Sequence, residues 1–174
     1  MRDMMVIVEP VIPRLRRYAR ALMRDAALAD DLVQDCLERA ITRWHQRRSD
    51  GDAQTWLFTI LHNLASNQRR QWARRGPHVP IDEISQDGLA SPAEQEAGLE
   101  QTAVLAALDR LPEDQRAVVL LISIEDLSYA EAARVLGVPV GTVMSRLSRA
   151  RQRLREDLAG QVAPSAPPHL RRIK

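Results

Sequence analysis

Apolar residues recur along this chain at the spacing of helices, and they almost nowhere alternate as a half-buried strand would. Ile12, Leu15, Ala19 and Leu22 or Met23 mark the inner face of a first helix, Ile12 to Met23. Arg14, Arg16, Arg17, Arg20 and Arg24 lie mostly outward on it. The stripe Leu28, Leu32, Val33, Cys36, Leu37, Ala40, Ile41 and Trp44 predicts a second helix, from near Asp25 to about Trp44. Its exposed side is Asp31, Gln34, Asp35 and Glu38. A polar loop from His45 to Asp52 holds the turn chemistry Ser49-Asp50-Gly51-Asp52. A third helix, Ala53 to Arg75, buries Trp56, Leu57, Ile60, Leu61, Leu64 and Trp72. It turns Thr59, His62, Asn63, Ser66 and Asn67 toward solvent, and Gly76-Pro77-His78-Val79-Pro80 ends it.

Helix resumes near Ser91 or Pro92 and includes Val104 to Leu111. Pro112 opens the next helix, which buries Val118, Leu121 and Ile122. From Leu127 to Leu158 the pattern is two helices joined by a tight turn. The first, from about Ser128 to Leu136, buries Tyr129, Ala132, Ala133 and Leu136, and Gly137 is its natural stop. The second repeats Val143, Leu147, Ala150, Leu154 and Leu158 on one face, beside Thr142, Ser145, Arg146, Arg149 and Arg153. A DNA-reading helix-turn-helix is built this way, with one helix bracing and the next presenting its first turns to base edges. An ordinary helical hairpin with a solvated arginine face would have to reproduce the turn, the small residues and the basic side together. Ala163-Pro164-Ser165-Ala166-Pro167-Pro168 lies in a breaker-rich stretch without apolar period, expected to be a disordered tail.

Composition narrows the reading to an all-α chain, because aromatics make up only 3% of it and β-branched runs are nearly absent. The 174 residues divide into a first domain over 10–75, a linker over 76–98, a second domain over 99–160 and the tail over 161–174. The net charge of +2 conceals segregation: Arg69 to Arg75 holds four arginines and no acid. Residues 76–101 hold Asp82, Glu83, Asp87, Glu94, Glu96 and Glu100 and no Lys or Arg. Basic patches within a near-neutral sum fit contact with nucleic acid at chosen places, although Lys174 as the only lysine also fits a base-composition bias toward arginine. Cys36 is the only cysteine and falls on an apolar stripe, as a small core residue does. His45, His62, His78 and His169 have no metal-ligand spacing with it, and no phosphate-cradling loop or nucleophile elbow is present. No metal, cofactor or enzymatic activity is expected, and with no long apolar run the protein is expected in the cytoplasm without membrane insertion.

Three strings resemble one family, the two-domain extracytoplasmic-function (ECF) group of bacterial RNA polymerase sigma factors. Asp30-Asp31-Leu32-Val33-Gln34-Asp35-Cys36-Leu37-Glu38-Arg39-Ala40 is similar to the family's polymerase-binding helix. Thr55-Trp56-Leu57-Phe58-Thr59-Ile60-Leu61-His62-Asn63-Leu64-Ala65 resembles its promoter-opening helix. Leu111-Pro112-Glu113-Asp114-Gln115-Arg116, followed by Leu127 to Ala133 and Val138 to Val143, resembles its second domain. The resemblance implies a specificity subunit that binds core RNA polymerase, directs it to promoters and helps to separate the strands. It places Asp31, Gln34, Asp35 and Glu38 against polymerase. It assigns Arg48, Asn63, Asn67, Arg69, Arg70 and Arg74 to the melted minus-ten element. It assigns Thr142, Met144, Ser145, Arg146, Ser148 and Arg149 to the double-stranded minus-thirty-five element. An anti-sigma factor is the further partner it implies.

The chain departs from the family pattern where Thr59 and His62 replace residues that are often basic, and where Ala53 replaces a common aromatic. Met144 stands where Lys or Arg is usual and cannot donate a hydrogen bond, which implies altered promoter contacts. Two other readings stay open at this level: a sigma-like decoy that titrates an anti-sigma factor, and a conventional helix-turn-helix regulator. The acidic linker fits either an anti-sigma-driven rearrangement of the domains or a nucleic-acid mimic near the polymerase cleft.

Overall fold

In a computed structural model of the chain, residues 2–47, 52–75 and 102–161 are described, and all their regular elements are helical. They are α1 (Arg2–Val8), α2 (Ile12–Met23), α3 (Ala26–Arg43), α4 (Ala53–Arg75), α5 (residues 102–110), α6 (Glu113–Val119), α7 (Tyr129–Leu136) and α8 (Val140–Gln161). Short 3-10 turns follow α1 and α3, and a π-helical stretch, Leu120–Ile124, continues α6. Arg48, the helix start expected near Ser91 or Pro92, the linker over 76–98 and the tail from residue 162 lie outside the described residues.

Local chemistry fixes the boundaries. Asp25 caps α3 by accepting the Leu28 N–H at 3.0 Å. Ser128 and Glu131 form a capping box on α7: the Glu131 N–H donates to Ser128 Oγ and the Ser128 N–H to Glu131 Oε2. Gly137 closes α7 at φ 65°, the left-handed region that only glycine enters without strain. α1 precedes the first helix that the periodicity predicts; its two buried positions, Met4 and Val8, are too few to register as a period.

α2, α3 and α4 pack mutually around Leu15, Tyr18, Leu57, Phe58 and Leu61, all fully buried, with the Phe58 ring edge-on to Tyr18 at 5.5 Å. α6, α7 and α8 pack around Val118, Val135, Val143 and Ala150. The two groups then join: α4 packs on α7, and α2 packs on α6 and its π-helical extension. The buried apolar residues form one continuous cluster as a result.

Four expectations are corrected. Ile41 is 52% exposed; it sits about 140° around α3 from Cys36, beside Gln34 and Glu38 and away from the buried stripe. Tyr129 is 38% exposed, because as the first residue of α7 it lines a depression with Met144 and Ser148. His62 is partly buried and hydrogen-bonded to Tyr18, because the joining of the two groups covers that side of α4. Arg14 and Arg17 turn toward the second group instead of simply outward.

Candidate polymerase and nucleic-acid interfaces

α3 presents Asp31, Gln34, Asp35 and Glu38 on one exposed stripe. Residues three and four apart on a helix share a face, and Gln34 Nε2 donates to Glu38 Oε1 at 3.2 Å. Among the described residues neither Asp31 nor Asp35 has an ion pair. Their neighbour Asp30 differs: it takes Arg20 at 3.2 Å and Arg16 at 3.9 Å, holding α3 to α2. Asp31 and Asp35 are therefore solvated, uncommitted acceptors beside the Gln34–Glu38 pair, with Ile41 at the edge of the stripe, suited to a cationic partner.

On α4 the expected nucleic-acid residues fall into two sets. Asn63, Asn67, Arg70 and Arg74 are exposed, and Arg70 is steered by Asn67, whose Oδ1 accepts its Nη2 at 2.6 Å. Arg69 is largely covered in this arrangement. Only 15% of its side chain is exposed, and its Nη2 lies 2.6 Å from Glu113 Oε1, an ion pair not aligned as a hydrogen bond. Burial outweighs that pairing and lowers the Arg69 pKa. At the start of α4, burial works against the charge of Asp52, but hydrogen bonds from Thr55 N, Thr55 Oγ1 and Gln54 N outweigh it and hold the carboxyl below its usual range. Burial, followed by the fields of Arg69 and Arg146, lowers His62 to about 4, so the ring is neutral in the fold. A neutral, occupied imidazole is a poor phosphate ligand.

The helix-turn-helix has its bracing helix in α7 and its reading helix in α8. Met144, Ser148, Arg149, Arg151 and Arg153 are exposed along α8, while Thr142 and Ser145 are half-buried and joined by Ser145 Oγ donating to the Thr142 carbonyl at 3.0 Å. Arg146 pairs with Asp114 at 3.1 Å and is only 26% exposed. Of the six expected residues the structure keeps Met144, Ser148 and Arg149 in the open and leaves Thr142, Ser145 and Arg146 partly covered.

The ion pairs that join the two helical groups were not legible as a site. Glu125, just after the π-helical stretch, has no exposed surface. Arg17 grips its carboxylate through Nε to Oε1 at 2.8 Å and Nη2 to Oε2 at 2.9 Å. Arg14 donates Nε to Oε2 at 3.1 Å, Nη1 to Gln54 Oε1 at 2.7 Å, and Nη2 to the Glu125 carbonyl. Hydrogen bonding to Glu125 raises the Arg17 pKa. Arg24 joins Asp109 at 3.1 Å, and Arg69 joins Glu113 as described. The sequence signal was the pair of acids Glu125-Asp126 set between apolar residues in the stretch Leu120 to Leu127.

Comparison with known proteins agrees with this arrangement. Residues 8–62 match the family described as the Sigma2 domain of PhyR, and residues 101–154 match Sigma-70, region 4. The ECF RNA polymerase sigma factor EcfG of Rhodopseudomonas palustris is 40% identical over 82% of this chain and 78% of its own length. SigM of Mycobacterium tuberculosis, another ECF sigma factor, is 37% identical over 81% of this chain and 69% of its own. Among solved structures, the sigma factor RpoE in complex with the anti-sigma factor NepR, from Bartonella quintana, superposes with a TM-score of 0.78. It is 32% identical and covers 94% of this chain and all of that one. The chain belongs to the ECF RNA polymerase sigma factors, transcription regulators rather than enzymes. Among the described residues no helix is long and apolar enough to cross a membrane.

Proposed function

We propose that this sigma factor docks on core RNA polymerase through Asp31, Gln34, Asp35 and Glu38 of α3. In this reading α4 opens the minus-ten element with Asn63, Asn67, Arg69, Arg70 and Arg74, and with Arg48 from the preceding loop. α8 reads the minus-thirty-five element with Thr142, Met144, Ser145, Arg146, Ser148 and Arg149. It does so in the cytoplasm, without catalysis of its own, as a detachable specificity subunit. The first domain spans 10–75 and the second 99–160, joined by the acidic linker over 76–98. The observation that carries the reading is the acidic stripe of α3, with Asp31 and Asp35 uncommitted, remote in sequence from an exposed arginine row on a reading helix. A conventional regulator has no use for the first, and a decoy that only titrates an anti-sigma factor has no use for the second. An anti-sigma factor is the expected regulator, as NepR is for the Bartonella quintana protein.

Transcription by core polymerase on fragmented genomic DNA tests the whole reading: added protein is expected to produce new start sites that share two spaced upstream elements. Two substitutions separate the faces. Asp35→Arg reverses one charge at the proposed polymerase interface and is expected to weaken core binding by at least tenfold, since paired interfacial charges are worth about 2–5 kcal/mol. Undiminished affinity in a core-binding titration would make the stripe an ordinary solvated face. Arg149→Ala removes one base or phosphate contact and is expected to reduce promoter-specific transcripts about 5- to 100-fold, from about 1–3 kcal/mol per contact, with core binding unchanged. Equal loss of both activities would mean that α8 has a different task.

A further inference from the structure

We propose that Met144 selects a thymine in the double-stranded minus-thirty-five element by packing on its 5-methyl group, with Val140 and Tyr129 as flanks. The proposal rests on the reading of α8 as the helix that meets that element. A guanine is gripped by the donors of an arginine or lysine, and an adenine by a side-chain amide. The first two turns of α8 offer neither in the open. Their one cation, Arg146, is only 26% exposed and pairs with Asp114 of α6, within the same helical group. What stands in the open there is apolar: Met144 is 51% exposed and Val140 41%. Positions four apart share a face of a helix, so Val140, Met144 and Ser148 form one exposed row along α8.

Tyr129, at the start of α7, completes the surface, since it lines one depression with Met144, Leu147 and Ser148. Arg151 and Arg155 line the same depression from later turns of α8. Apolar atoms therefore lie beside the early turns, and cations beyond them. The major groove offers a matching succession, with thymine methyl groups on its floor and phosphates along its edges. Gly141 lets the helix come close. A Cβ placed there would meet nothing in the chain, so packing inside the protein does not require the glycine. Its bare surface leaves room for the floor of the groove. Other bases fit this surface less well. A cytosine lacks the methyl group, and a purine would leave its N7 acceptor desolvated against a thioether.

The test uses core polymerase carrying the full chain, on a promoter fragment recovered by transcription of fragmented genomic DNA. Each thymine of the upstream element, on either strand, is replaced singly by deoxyuridine, which removes the methyl group and keeps the base pair. Wild type is expected to bind one such fragment about fourfold more weakly, the factor carried by one buried methyl group. Met144→Ala is expected to bind the thymine and deoxyuridine versions of that fragment equally. Met144→Leu keeps an apolar contact and is expected to retain the difference. An upstream element without thymine on either strand would overturn the proposal. So would a wild type indifferent to every deoxyuridine, or a methyl sensitivity that survives in Met144→Ala. A loss of core affinity in Met144→Ala would also overturn it and make the patch a protein contact. Failure of wild type to select any upstream element is a distinct result, which would overturn the reading of α8 and the proposal with it.

Discussion

Phe58→Ala is expected to lower the folding stability of the chain by about 3–5 kcal/mol. The ring has no exposed surface and stands edge-on to Tyr18, 5.5 Å between centroids and 78° between planes. Removing it takes away a large apolar transfer contribution and the aromatic contact, and leaves a void that rigid neighbours fill poorly. Leu15 on α2 and Leu57 and Leu61 on α4, all equally buried, are fixed on their helices and cannot converge on the gap without moving backbone. Against a typical total of about 5–15 kcal/mol this is a large fraction. Urea unfolding followed by circular dichroism should show a lower midpoint with an unchanged slope. A loss below about 1 kcal/mol would mean that the Tyr18 ring swings into the space and that this core is more plastic than its geometry implies.

His62→Gln is expected to act on the pH dependence of stability. Burial, with Arg69 and Arg146 nearby, lowers His62 from 6.5 to about 4. Between those values the unfolded chain binds a proton that the folded chain refuses, so stability rises with pH through this window. The contribution is complete above about pH 6.5 and is lost as pH falls through about 4. Its full span is on the order of 3 kcal/mol, from about 1.4 kcal/mol per unit. Glutamine does not titrate and can still accept from the Tyr18 hydroxyl, which lies 2.9 Å from the imidazole Nδ1. Stability measured near pH 7 and near pH 4.5 should therefore differ less for the variant than for wild type. Parallel pH profiles would show that His62 protonates freely in the fold and that the cover over α4 is loose.

Helical phase was the most legible property of the chain. Ile12–Met23 and Ala53–Arg75 fall where the periodicity predicts them, because long amphipathic stretches with strong stops constrain both ends. The turn at Gly137 was equally plain, since one residue type suits that backbone. Position around a helix axis was less secure at the flank of a stripe. Ile41 carries an apolar side chain yet faces solvent, and Tyr129 is apolar in phase but stands at a helix end. The acidic stripe of α3 and the arginines of α8 were readable as patterns, because each depends on one helix only. What the sequence withheld was the meeting of two distant helices. Arg14 and Glu125 are 111 residues apart, and nothing local to either announces the other. The fate of Arg69 and His62 was hidden for the same reason: their surroundings are set by the second group of helices, not by α4.

A π-helical stretch is an α-helix that has absorbed one additional residue, and Leu120–Ile124 is such a place, with the Glu125 N–H reaching back to the Leu120 carbonyl at 3.0 Å. One residue is worth about 100° of rotation about the axis. The direction in which Glu125 points is thus a matter of phase accumulated just upstream of it. A single-codon deletion within Leu120–Ile124 would leave Glu125, Arg14 and Arg17 all in the chain and swing the carboxylate to another side of the helix. Communication between the halves of this molecule is written in chain length as much as in side-chain identity, and sequence change by insertion or deletion reaches it more directly than substitution does.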